Sequence, residues 1–182
     1  MREIYLADIR RAFRNYRQLA ETAIVQIEDA QLSSTLGHDD NSIAVIMQHV
    51  AGNLRSRFLD FLTTDGEKAD RNRDAEFETH STTTRDALMA EWNGAWDILL
   101  RELDALTPAD LDRTVHIRRE PFAVIEALDR AATHVAYHVG QIVFLAKHMA
   151  GTNWTSLSIP KGKSAEFSIG TFKKGMIPKP TA

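Results

Sequence analysis

Residues 121–151 read PFAVIEALDRAATHVAYHVGQIVFLAKHMAG, and the fold class is decided in this stretch. Ile125, Leu128, Ala132, Val135, Val139, Ile142, Ala146 and Met149 alternate by three and four. That is a heptad seam, the pattern by which helices pack into bundles. Pro121 suits a first helical turn and Gly151 suits a helix end, so the spacing predicts a helix between them. Beside the seam lies a second row: Ala127, Ala131, His134, His138, Gln141 and Leu145. His134 and His138 stand i, i+4, which puts both imidazoles on one face, one turn apart.

Three other segments carry the helical period. Ile9, Phe13, Tyr16, Ala20, Ile24 and Ile27 mark a first helix that should stop near Gly37, with Arg10, Arg11, Arg14 and Arg17 on its other face. Ser42 is placed to cap a second, whose stripe is Ile43, Ile46, Val50, Leu54, Phe58 and Phe61 and which should end at Gly66. A third follows Thr84, with Leu88, Trp92, Ala95, Leu99 and Leu103 in step, and Thr107-Pro108 stops it. Four such helices with two long connections predict an all-α, antiparallel four-helix bundle. The chain, residues 1–182, is expected to form one domain, since its length suffices for a full core.

The segments between them are informative too. Thr63 to Thr79 is crowded with charge, which reads most simply as a self-paired, solvated loop. Arg113 to Arg118 alternates enough for a short strand before the fourth helix. The tail, 152–182, carries Trp154, Leu157, Ile159, Phe167, Ile169 and Phe172, more large apolar groups than a disordered tail usually holds. It is expected to wrap over the bundle or onto a partner. Its lysines, Lys161, Lys163, Lys173, Lys174 and Lys179, read as a solubilising set.

Composition excludes several chemistries. There is no cysteine, so thiolate metal sites, disulfides and cysteine nucleophiles are out, and any metal must bind nitrogen or oxygen. A net charge of -3 gives no general attraction to nucleic acid or an anionic membrane. No stretch is apolar enough to span a bilayer, and the first ten residues break their apolar groups with charges, unlike a signal peptide. The expected location is the cytoplasm, with no nucleic-acid and no membrane partner.

His49 lies in the second helix in the row Val45, His49, Gly52, Ser56. If it faces His134 and His138, three imidazoles from two helices could hold a divalent metal and leave one position open. From spacing alone, hydrogen-bonded core histidines and metal ligands both remain open readings. His38, His80, His116 and His148 read as structural or solvated, and Trp92 and Trp96 as core. Arg57, Arg71, Arg73 and Arg130 could clamp a carboxylate or phosphate. For Arg130 the plainer reading is an i, i+4 salt bridge with Glu126.

Sharper motifs fail. His134 is not followed by glutamate, so this is no His-Glu-x-x-His protease helix. No Glu-x-x-His pairs project for a two-iron site. Gly162-Lys163-Ser164 lacks the earlier glycine of a phosphate loop, since Leu157 stands there. There is no Gly-x-Ser-x-Gly elbow.

His49 on the second helix, with His134-x-x-x-His138 followed by Gly140-Gln141-Ile142 on the fourth, resembles the DinB-like superfamily of bacterial four-helix bundles. The resemblance extends over nearly the whole chain. It takes in Gln48 to Phe58, Asp65-Gly-Glu-Lys68, Arg71-Asn-Arg-Asp74, Glu76-Phe77, Arg130, and Leu157-Ser-Ile-Pro-Lys-Gly-Lys-Ser164. It implies an up-down-down-up bundle, usually a homodimer. His49, His134 and His138 would bind nickel or zinc. Relatives include transferases and isomerases that use a low-molecular-weight thiol such as mycothiol or bacillithiol.

The favoured expectation is therefore a divalent-metal-dependent enzyme, transferase-like or hydrolase-like, acting on a small molecule with a thiolate or hydroxide as nucleophile. Binding should weaken as pH falls through about 6.5, because neutral imidazole is the ligand form. Gln141 and Arg130 are the candidate catalytic residues, the first orienting a ligand and the second pairing with an acidic substrate. The alternative is a non-catalytic stress-response or dimerisation module with a structural metal or none.

Overall fold

A computed structural model describes residues 1–78 and 84–166. Five helices and one small sheet are found among them: α1 (Arg2–Ile24), α2 (Asp29–Leu32), α3 (Ile43–Phe58), α4 (Arg85–Ala105), β1 (Thr114–Ile117), β2 (Glu120–Ala123) and α5 (Val124–Ala150). The chain is mostly helical, as the periodicity predicts. α3 packs chiefly on α4, and α1 on α5. Phe13, Leu54, Phe58, Trp92, Trp96, Leu99, Leu128, Val135 and Ile142 are fully buried in one continuous cluster.

Polar contacts fix which ends meet. Tyr5 donates to Asp129 at 2.6 Å, and Gln31 donates to the Met149 carbonyl at 3.0 Å. Thus the start of α1 meets the start of α5, and the chain just past α1 meets the far end of α5. Toward α4 the order reverses. Arg10 donates to the Leu103 carbonyl at 2.9 Å, Arg14 takes both Asp104 oxygens at 2.7 and 2.8 Å, and Arg17 reaches Asp97 at 2.9 Å. With Arg11 donating to Asp8, all four first-helix arginines are engaged within the chain.

The starts of α3 and α4 follow the sequence closely. Ser42 Oγ accepts the Val45 N–H at 3.3 Å, and Thr84 Oγ1 accepts the Ala87 N–H at 3.2 Å, each removing one orphan donor of a first turn. The ends of α4, before Thr107-Pro108, and of α5, before Gly151, follow it as well, but those of α1 and α3 depart from it. α1 stops at Ile24 rather than near Gly37, because the Arg85 guanidinium takes the Ile24 and Ile27 carbonyls at 3.0 and 2.7 Å. A one-turn α2 follows the break. α3 stops at Phe58 rather than Gly66: Leu59 is extended and Asp60 has φ 53°, which turns Phe61 back onto Phe58 at 5.0 Å between ring centroids.

The expected lone strand is one half of a hairpin. β1 and β2 pair antiparallel with His116 opposite Pro121, so Pro121 lies in a strand and α5 begins at Val124. The two turn residues, Arg118 and Arg119, have φ of 56° and 68°, an unusual conformation for arginine. Asp65 makes it tenable. Its carboxylate accepts the Arg118 N–H at 2.8 Å and the Arg119 N–H at 2.7 Å, while the Gly66 N–H donates to the His116 carbonyl at 2.8 Å.

The beginning of the tail packs on the bundle. Leu157 is buried in the core cluster, and Gln26 brackets Thr155, accepting its N–H at 2.7 Å and donating to its carbonyl at 3.2 Å. Phe167, Ile169, Phe172, Lys173, Lys174 and Lys179 lie outside the described residues, as does His80. No helix among the described residues is long and apolar enough to cross a membrane.

Candidate metal centre

Helix geometry brings the three histidines together. His49 comes from the middle of α3 and is buried; His134 and His138 come from α5 and are half-buried. One ring nitrogen from each lies within 4.8 Å of the others. The closest approach is His49 Nε2 to His134 Nε2, 3.1 Å.

The far nitrogens explain how two rings are held. His49 Nδ1 lies 2.9 Å from Glu76 Oε2. An ionised carboxylate only accepts, so Nδ1 carries the proton and Nε2 presents its lone pair inward. His138 Nδ1 donates to Gln141 Oε1 at 2.8 Å, with the same consequence. Gln141, one of the two catalytic candidates, is thus engaged in orienting His138. His134 Nδ1 is buried with no hydrogen-bond partner among the described residues. If His134 keeps its proton there, its Nε2 lone pair faces that of His49 at 3.1 Å, an arrangement that a cation between them stabilises. The donor set fits a divalent metal.

Glu76 is the residue that sequence reading missed in this role. It belongs to the charged segment expected to be solvated, yet its side chain is 10% exposed and that of Arg71 only 5%. A turn at Asp74–Phe77 packs on α3 and carries Glu76 against His49. Arg71 clamps the carboxylate from behind, Nε to Oε1 at 2.8 Å and a terminal nitrogen to Oε2 at 2.9 Å. Burial pushes the Glu76 carboxyl up, but hydrogen bonds from His49 and Arg71, with the Arg71 charge, outweigh it and hold it below the ordinary range. Gly52 makes room: a Cβ there would sit 2.2 Å from Glu76 Oε1. The small residue beside the histidine was legible; its occupant was not.

Burial also sets the protonation of the α5 pair. It pushes His134 down to about 4, helped by the neighbouring His138 and His49, and it lowers His138 against the opposing hydrogen bond from Gln141. Burial therefore favours the neutral form of both rings, which is the ligand form.

A family model described as a protein of unknown function, DUF1572, matches residues 1–163. The chain belongs to the DUF1572 family. No curated protein matches it.

In this DUF1572 chain His49 and His134 line a cavity of about 470 Å³. Ala127 and Ala131 of the small-residue row line it, together with Phe58, Phe61 and Ile117. Arg130, the other catalytic candidate, lines it too and lies over the Phe122 ring at 5.9 Å. The expected Glu126–Arg130 salt bridge is not formed, because Glu126 accepts the Ala123 N–H at 2.7 Å and serves the start of α5. Arg57, Arg71 and Arg73 reach the same cavity. Trp92 and Trp96 lie in the core.

Proposed function

We propose that this protein is a divalent-metal-dependent enzyme of the DinB-like kind, activating a small thiol or a water against a small-molecule substrate. One observation carries the reading: three histidine nitrogens lie within 4.8 Å of one another, and two of the rings, His49 and His134, line a cavity. Nickel or zinc suits three nitrogen ligands with an open position, held by His49, His134 and His138. Bound there, the metal supplies Lewis-acid activation, lowering the pKa of a thiol or water.

The chain's own residues do the remaining work. Glu76 fixes the His49 tautomer and ring plane, with Arg71 anchoring Glu76. Gln141 does the same for His138. The apolar wall of Phe58, Phe61 and Ile117 limits water around a bound substrate. An up-down-down-up order of α1, α3, α4 and α5 is supported by the end-to-end contacts of α1 with α5 and their reversal toward α4. A homodimer goes with the same reading. Tyr137 and Phe144, 64% and 66% exposed and seven residues apart on α5, offer it an aromatic surface.

The test is a turnover screen of metal-loaded protein, with low-molecular-weight thiols as cofactors and electrophilic small molecules as substrates. Wild type should turn over at least one pair, and His138→Ala should lose that activity. A non-catalytic module is the second reading. It is favoured by one feature: no carboxylate lines the cavity among the described residues, so no general base stands ready. No turnover across the screen by metal-loaded protein would support that module instead.

A further inference from the structure

The cavity beside the histidines is strongly cationic. Five arginines line it, Arg57, Arg71, Arg73, Arg118 and Arg130, and no Asp or Glu does among the described residues. Three of the five have carboxylate partners behind the wall. Arg57 and Arg118 bind Glu67 at 2.8 and 3.2 Å, and Arg71 binds Glu76. Arg73 and Arg130 have no ion pair among the described residues. Each lies over a phenylalanine face instead, Arg73 at 5.1 Å from the Phe77 centroid and Arg130 at 5.9 Å from that of Phe122. A ring face orients a guanidinium without neutralising it.

Both also stand close to the candidate ligands. Phe77, under Arg73, packs on the His49 ring at 4.9 Å. Arg130 is one turn before His134 on α5. Positive charge on low-dielectric walls focuses the field on an entering anion, and guanidinium forks match the oxygens of carboxylate and phosphate. Phe58, Phe61, Ile117, Ala127 and Ala131 also line it, and about 470 Å³ is the size of a small-molecule site.

We propose that this cavity binds a small molecule with an apolar body and an oxyanion, and that Arg73 and Arg130 hold the oxyanion beside the histidine triad. The assignment rests on reading the cavity as the substrate side of that triad. It narrows the substrate class to organic acids or phosphate esters.

The experiment is calorimetric titration of the full-length protein with benzoate and with phenyl phosphate, the metal content of each sample being measured in parallel. The two probes separate carboxylate from phosphate recognition. At least one should bind, more tightly than acetate or inorganic phosphate, and more weakly as sodium chloride is raised. The double variant Arg73→Gln/Arg130→Gln should lose roughly tenfold or more in affinity, while its metal content and melting temperature stay at wild-type values. Arg130→Lys, which keeps the charge, should retain part of the affinity. No binding of either probe, or equal binding by the double variant, overturns the proposal. A metal-free wild type that still binds in an arginine-dependent way would uphold the anion site and defeat the metal reading alone.

Discussion

Glu76 ties the sequence to the candidate centre through a single contact with His49. Replacing it by glutamine keeps the size and removes the charge that fixes the His49 tautomer. Glu76→Gln should weaken metal binding by about 10- to 100-fold, measured by competition with a chromophoric chelator. Gly52→Ala should do similar damage by a different route, since its Cβ cannot coexist with the Glu76 carboxylate where it stands. Such overpacking should also lower stability, by about 1–3 kcal/mol in urea unfolding. The α5 histidines bear on pH. Protons compete with metal for the ring nitrogen, and burial holds His134 down at about 4. Metal should therefore be retained below 6.5, where ordinary imidazole protonates, and be released as pH falls toward 4. Without metal the sign is the same. Unfolded His134 takes a proton near 6.5 and folded His134 does not, so stability is full above 6.5 and declines between 6.5 and 4. Metal content after dialysis across this range checks the first statement; a release midpoint at or above 6.5 would contradict it.

Elements were legible where a local signal carried them. The seam of residues 121–151 marked α5, and Ser42 and Thr84 marked the starts of α3 and α4, because capping is a contact over three residues. The ends of α4 and α5, at Thr107-Pro108 and Gly151, were legible too, but the ends of α1 and α3 were not, because no residue pattern announces them. Arg85, 61 positions away, takes the carbonyl of Ile24, the last residue of α1, and the loop after α3 turns on an aspartate with positive φ. The hairpin was half seen. Its turn is Arg118-Arg119, with neither the Asn nor the Gly that usually announces such a turn, and Asp65 supplies the compensation from over fifty residues away. Asp65→Ala should leave both turn amides without their acceptor and cost about 1–2 kcal/mol, read by chemical denaturation. The hairpin carries His116, Ile117 and Arg118 into the cavity wall, so the same variant should also weaken ligand binding there.

For the molecule as a whole, the histidine site was more legible than its surroundings. That three histidines on two periodic helices could share one site can be read from spacing, since both faces are set by the apolar seam; spacing left open whether they ligate a metal. The carboxylate behind His49 and the arginine behind that carboxylate cannot be read that way, because a charged loop reads alike whether it is solvated or folded inward. If the triad holds metal, α3 and α5 are joined through it, and binding should stabilise the native state alone. The melting temperature should then rise with added zinc or nickel in wild type and not in His138→Ala. The most direct measurement is the metal content of the untagged protein by mass spectrometry, for wild type and His138→Ala together. About one divalent ion per chain is expected in the wild type and loss of it in the variant. A wild type that takes up no metal, or a variant that keeps all of it, would contradict the three-histidine centre.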